Sequence, residues 1–223
     1  MKREFTHAEE VKGIVTSSGI WPWRKERSAE EIYEQNKLAA KQVLYVMKKH
    51  DATRLHYDFR FGYNGMLLSW VLPEGPSYYP GHEREAVRVA DHSRENAFFE
   101  GCLEEGYGAG TVMLWDWGTC ELLPGYTNVE RAFRRGELKF ILRGERLKGI
   151  WILRRITGYE GNRRNPHWVF IKERDAFARD EEALSILAEA PDSISTQRTM
   201  DGIQQDWRDG RRRNERQGTL FGD

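Results

Sequence analysis

Apolar and polar residues alternate in step through much of the middle of this chain. In Leu55-His56-Tyr57-Asp58-Phe59-Arg60-Phe61 the alternation is strict. Successive side chains on a strand point to opposite faces, so Leu55, Tyr57, Phe59 and Phe61 share an apolar face and His56, Asp58 and Arg60 a polar one. Alternation or short apolar runs predict strands over 43–49, 54–61, 66–72, 86–91, 111–115, 119–123, 138–142, 147–156 and 168–173. Asn64-Gly65 supplies a two-residue hairpin turn between two of them. Helices are fewer. Ser28 followed by Glu31 is a capping box that predicts a helix to about residue 41, and Thr127 with Glu130 predicts a short one ending near Gly136. Residues 175–190 read as a closing helix. Many short strands and few helices predict a mainly β protein, an antiparallel barrel or sandwich. The expected layout is an arm and helix over 1–42, a single β domain over 43–190, and a disordered basic tail over 191–223 that carries Arg211-Arg212-Arg213.

The polar face gives the chain its chemistry. His50 lies an even six residues before His56, across the turn-like Asp51-Ala52-Thr53. Two imidazoles and a carboxylate, His50, His56 and Asp58, are ligands typical of a divalent transition metal, and Mn²⁺, Zn²⁺ and Co²⁺ all suit them. The same three residues can equally form a buried hydrogen-bonded cluster. A guanidinium beside them, Arg60, suits a phosphate oxygen. Together they read as a metal-assisted phosphoester site. Asp91-His92 closes a predicted strand, and His92 is a candidate general acid or phosphate donor because imidazole titrates near neutral pH. Arg84 and Arg88 lie just upstream of it.

Composition narrows the partners. The 223 residues suit one domain plus tails. Lys+Arg and Asp+Glu balance at 35 each, so any nucleic-acid binding must come from local clusters rather than from net charge. Arg131, Arg134 and Arg135 form one such cluster, which reads first as a solvated helix face. Cys102 and Cys120 fit no metal spacing and read as free thiols of a reduced compartment. With no signal peptide and no membrane-length apolar run, a cytoplasmic protein is expected, with no membrane partner. The tryptophans, Trp70, Trp115, Trp151 and Trp168 among them, read as core.

A longer ordered series extends this reading. Lys49-His50-Asp51-Ala52, residues 54–60, Ser69-Trp70, Gly75-Pro76-Ser77, Ala86-Val87-Arg88-Val89, Asp91-His92, Phe99-Glu100-Gly101, residues 107–112, Leu138-Lys139-Phe140 and residues 171–175 occur in sequence. The series resembles the 3′-phosphoesterase domain of bacterial ligase D, over roughly residues 43–178. That resemblance implies a β-barrel with flanking helices. It implies a manganese-dependent enzyme of non-homologous end joining that removes a 3′-phosphate or a 3′-terminal ribonucleoside to leave a 3′-hydroxyl. It implies DNA or DNA/RNA 3′ ends as substrate, a nucleoid-associated location, and a ligase or polymerase of end joining as partner. His50, His56 and Asp58 match the family's metal ligands, Arg60 its phosphate contact, and His92 and Arg84 two further site residues. Arg3-Glu4-Phe5 and Glu10 stand where the family's arm has an Arg-Asp-Phe segment and a later acid.

The chain departs from the family pattern at four positions. Asn96 replaces a tyrosine of the site, Glu74 a lysine, Lys48 a glutamine and Ala90 a glutamate. Asn96, Glu74 and Ala90 motivate a second reading, a catalytically reduced module that binds DNA ends and is recruited by a clamp or by ligase partners. A third is a phosphoesterase redirected to RNA ends or 2′,3′-cyclic phosphates. Gln217-Gly218-Thr219-Leu220-Phe221 resembles the short motif by which bacterial repair proteins bind the sliding clamp, with Leu220 and Phe221 for an apolar pocket and Gln217 for an amide anchor.

Overall fold

The structure is a computed structural model that describes residues 42–106, 108–156 and 166–218. The expected arm and helix, with Arg3-Glu4-Phe5 and Glu10, lie outside the described residues, as do Tyr107 and Thr219, Leu220 and Phe221 of the clamp-like peptide.

Among the described residues nine strands form: β1 (Gln42–Asp51), β2 (Leu55–Tyr63), β3 (Met66–Leu72), β4 (Arg84–Ser93), β5 (Gly101–Leu103), β6 (Gly110–Leu122), β7 (Glu137–Gly144), β8 (Lys148–Arg155) and β9 (His167–Lys172). They pair antiparallel in the order β1-β2-β3-β4-β9-β8-β7-β6, and β6 pairs back onto β1. Eight strands therefore close into the expected barrel, and β5 adds to β6 from outside the ring.

Alternation decides what fills the barrel. Tyr57, Phe59 and Phe61 point inward, with Trp70, Phe140, Trp151 and Phe170 from other strands. Phe61 stacks on Trp70 with centroids 5.7 Å apart, and Phe59 on Phe140 at 5.6 Å. Such offset pairs add to the hydrophobic gain of burying each ring. Trp70, Trp115, Trp151 and Trp168 are all fully buried, as their core reading required. The Asn64-Gly65 turn has positive φ at both residues, as a type I′ hairpin demands.

Helix α1 (Val129–Arg135) plugs one end through Val129 and Ala132. Its N-cap is Asn128, one residue past the expected Thr127, because the Asn128 carboxamide oxygen accepts from Arg131 N at 2.9 Å. The two strands expected over 111–115 and 119–123 are one strand, β6, with a register shift opposite Met47 and Lys48. The closing helix expected over 175–190 is only the single turn α2 (Ile186–Glu189). Asp175 is occupied elsewhere, since its carboxylate accepts from Ile150 N, Phe177 N and Lys172 Nζ and pins a turn. The tail also differs from expectation. Residues 200–218 form helix α3 (Met200–Gly218), which packs on β5 and β6. Met200, Ile203 and Trp207 sit on one helical stripe, and Ile203 is buried.

Candidate active site

The polar face of β2 lies on the outside of the barrel. In the β1–β2 ladder His50 stands opposite His56, and Lys48 opposite Asp58. Directly opposed residues share a face, so these four side chains emerge together. Arg60 follows two residues on, between Val46 of β1 and Ser69 of β3.

The ligand atoms of His50, His56 and Asp58 all lie within 4.8 Å of one another. His50 Nδ1 is 3.8 Å from Asp58 Oδ2, and His56 Nε2 is 3.6 Å from Asp58 Oδ1. His56 Nδ1 is 2.9 Å from the Arg54 carbonyl. That contact fixes the ring and turns Nε2 to Asp58, as outer partners of metal-bound histidines do. His50 Nε2 is buried without a hydrogen-bond partner. A buried polar atom left unpaired is costly unless something binds it. Burial also pushes the His50 pKa below its usual value, with His56 and Arg60 adding to the effect and Asp58 opposing it. A neutral imidazole is the form that binds metal. These residues therefore fit a divalent cation.

Cationic groups border the cluster. Arg60 Nη2 donates to Asp58 Oδ2 at 2.8 Å. Lys48 is only 2% exposed, and its ammonium donates to the Asn96 carbonyl at 2.6 Å and sits 5.6 Å from the Phe99 ring. Burial, then Arg60, pull its pKa down to about 7 against the attraction of Asp58 and Glu100. His92 Nδ1 lies 3.0 Å from Ser69 Oγ, whose own hydroxyl donates to the Leu67 carbonyl. The His92 pKa is lowered by burial first and by Arg60 second, which places the ring in the same electrostatic neighbourhood as Asp58 and Lys48. The glycine turn after Tyr107 closes over the end of β1. A Cβ on Gly110 would strike the Asp51 carbonyl, and one on Gly108 would sit 3.6 Å from His50 Cε1.

The structure thus brings together His50, His56, Asp58, Arg60 and His92, but not Arg84. A register shift in β4 between the pairings of Leu67 and Ser69 inserts an extra residue between Val89 and His92. His92 shares the outer face through Leu67, whereas Arg84 stands opposite the core residue Phe170 and leaves from the other face. Arg84 instead pairs with Glu74, so two altered or expected phosphate contacts satisfy each other away from the cluster. His82 contacts Ser77 Oγ, and His167 pairs with Glu85, both apart from the site. Two residues that sequence reasoning gave no role, Lys48 and Ser69, belong to the site. Lys48 carried a signal, its even spacing from His50; that of Ser69 required the register.

Comparison with known proteins agrees with this geometry. Residues 48–155 match the DNA ligase D 3′-phosphoesterase domain. The multifunctional non-homologous end joining protein LigD of Pseudomonas aeruginosa is 41% identical over 157 residues, which span 70% of this chain and 18% of that protein. The LigD proteins of Mycobacterium bovis and Mycolicibacterium smegmatis are 36% and 32% identical over 51% of the chain, spanning 15% and 16% of their own lengths. The chain thus covers only a small part of each relative. Through the barrel that carries the histidine–aspartate cluster, the chain belongs to the DNA ligase D 3′-phosphoesterase domain family.

Proposed function

We propose that the chain is a metal-dependent phosphoesterase that processes DNA 3′ ends, removing a 3′-phosphate or a 3′-terminal ribonucleoside to leave a 3′-hydroxyl for end joining. The observation that carries this reading is the convergence of His50, His56 and Asp58 beside Arg60 on one face, within a domain of this family. His50, His56 and Asp58 would hold Mn²⁺, with Zn²⁺ and Co²⁺ also compatible with the donor set. Bound there, such an ion polarises a phosphoryl oxygen and lowers the pKa of water.

The chain's own residues supply the rest. Arg60 neutralises charge on the phosphoryl oxygens as it builds in the transition state, helped by Lys48. Arg60 must then share its guanidinium between Asp58 and the substrate, and its several donors allow that. His92, braced by Ser69, gives a hydrogen bond or proton to the phosphoryl or leaving oxygen. Arg84 has no place in this scheme while paired with Glu74. A ligase or polymerase of end joining is the partner that would use the 3′-hydroxyl product.

The test is a gel assay on labelled primer-templates ending in a 3′-phosphate or a 3′-ribonucleotide, with Mn²⁺ or EDTA. Metal-dependent conversion to a 3′-hydroxyl is expected, and Asp58→Ala should abolish it. Tight end binding with no product would instead identify an end-binding module. Near-normal turnover by the Asp58→Ala protein would refute the ligand assignment.

A further inference from the structure

We infer that Arg198 and Glu100 are positioning residues: they lock the C-terminal segment onto the loop that holds Lys48 in the candidate site. The inference rests on the reading that the His50–His56–Asp58 cluster is the phosphoesterase centre.

The tie begins at the irregularity in the β1–β6 ladder. Lys48 stands opposite Leu114, and the register shifts between Met47 and Lys48, so Trp115 is the extra residue. A bulge leaves backbone groups without ladder partners. Both groups of Leu114 are satisfied from outside the ladder. Its N–H donates to Glu100 Oε2 at 3.1 Å, and its carbonyl accepts from Ile194 N at 3.0 Å. The Glu100 side chain is 6% exposed. Its other oxygen accepts from Arg198 Nη2 at 2.9 Å and from Thr196 Oγ1 at 2.5 Å.

Arg198 is itself held. Its Nε donates to Thr196 Oγ1 at 3.0 Å and its Nη1 to Asp206 of α3 at 2.8 Å. The segment carrying it is a closed turn, in which Ser193 N donates to the Arg198 carbonyl and Ser193 Oγ accepts from Ser195 N and Thr196 N. A rigid turn therefore presents one guanidinium to one buried carboxylate. Glu100 is contiguous with the stretch that fixes Lys48: Phe99 lies under the ammonium and Asn96 accepts from it. Phe99 N in turn donates to the Asn96 carbonyl, which ties the two ends of the stretch that holds Lys48 to each other. A shift of Glu100 would shift both contacts of Lys48. This network lies partly beyond residues 48–155, the portion matched to the family.

The experiment uses the full chain and two readouts. The first is acetylation of lysines by acetic anhydride, read by mass spectrometry, which needs no activity. Lys48 should be shielded in the parent protein and label several-fold faster in Arg198→Ala, with Arg198→Lys restoring the shielding. The second is steady-state turnover on the 3′-phosphate substrate. Arg198→Ala should lower kcat about tenfold or more at an unchanged Mn²⁺ requirement, because small displacements of positioned groups are amplified in rate. Thr196→Val, which removes only the bridging hydroxyl, should move both readouts the same way by less, and it serves if Arg198→Ala does not fold. Unchanged Lys48 labelling in the folded variants would overturn the inference whatever the activity. A parent protein without turnover but with labelling that follows Arg198 would refute the proposed reaction and leave the positioning intact.

Discussion

Asp116 keeps a carboxyl group in the barrel interior. Its carboxylate is fully buried and accepts from Tyr45 Oη at 2.6 Å, Leu147 N at 2.8 Å and Arg146 N at 3.1 Å. Burial raises its pKa from 3.8 to about 6 although all three donors oppose the rise. A carboxyl whose folded pKa exceeds its unfolded value holds its proton more tightly when native. Its contribution is therefore full below pH 3.8 and falls as pH climbs to about 6. The displacement corresponds to on the order of 3 kcal/mol. Urea unfolding of the parent and of Asp116→Asn at pH 4 and pH 7 checks this. The stability of the parent relative to the variant should shrink by up to about 3 kcal/mol at the higher pH. A constant difference would show that Asp116 does not titrate in that range. At the site, three of the residues legible in the sequence share one strand. His56, Asp58 and Arg60 needed only the two-residue period, and His50 the same parity across a turn. Arg84 entered only through the family resemblance, and one inserted residue in β4 sets it on the opposite face from His92, eight residues on. Ser69 was silent because its role comes from a neighbouring strand.

Elements were legible where a local rule governs them. Alternation and short apolar runs marked eight of the nine described strands, but read β6 as two. In fact Gly118 lets the strand run on against the Arg143 carbonyl, where a Cβ would not fit. Strand β5 has three residues and no pattern to find. Helix α1 shows the local rule at work. Asn128 caps its start, and Gly136, at φ 83°, ends it by donating to the Ala132 and Phe133 carbonyls. Asn128→Ala should cost about 1 kcal/mol of folding stability through the lost cap. Gly136→Ala should cost about as much from left-handed strain, with added crowding against Arg155, 3.2 Å from the new Cβ. Denaturant titration reads both. Unchanged midpoints would mean that the plug does not depend on its caps.

At the scale of the molecule, the barrel was predictable and its C-terminal cover was not. Residues 200–218 are so polar that composition alone spoke for disorder; few apolar positions hold α3 to β5 and β6, and Ile203 is the most buried. Ile203→Ala should therefore cost roughly 2–4 kcal/mol, as buried large-to-small changes do. If its effect were near zero, the helix would not be part of the folded unit. Cation binding should act globally as well. Ligands that bind only the native state raise its stability with concentration. Adding Mn²⁺ should raise the Tm of the parent but not of Asp58→Ala, and an equal rise in both would place the ion elsewhere.

Closure of the ring by the β1–β6 pairing has a consequence of another kind. A sheet joined to itself offers neighbours no long row of vacant amides and carbonyls, and among the described residues the short β5 lies outside the ring. Such a body can be tethered beside other catalytic bodies in one polypeptide without exchanging strands with them. In the LigD proteins similar to it, the matched region makes up 15–18% of a far longer chain. A self-sealed module suits that crowding.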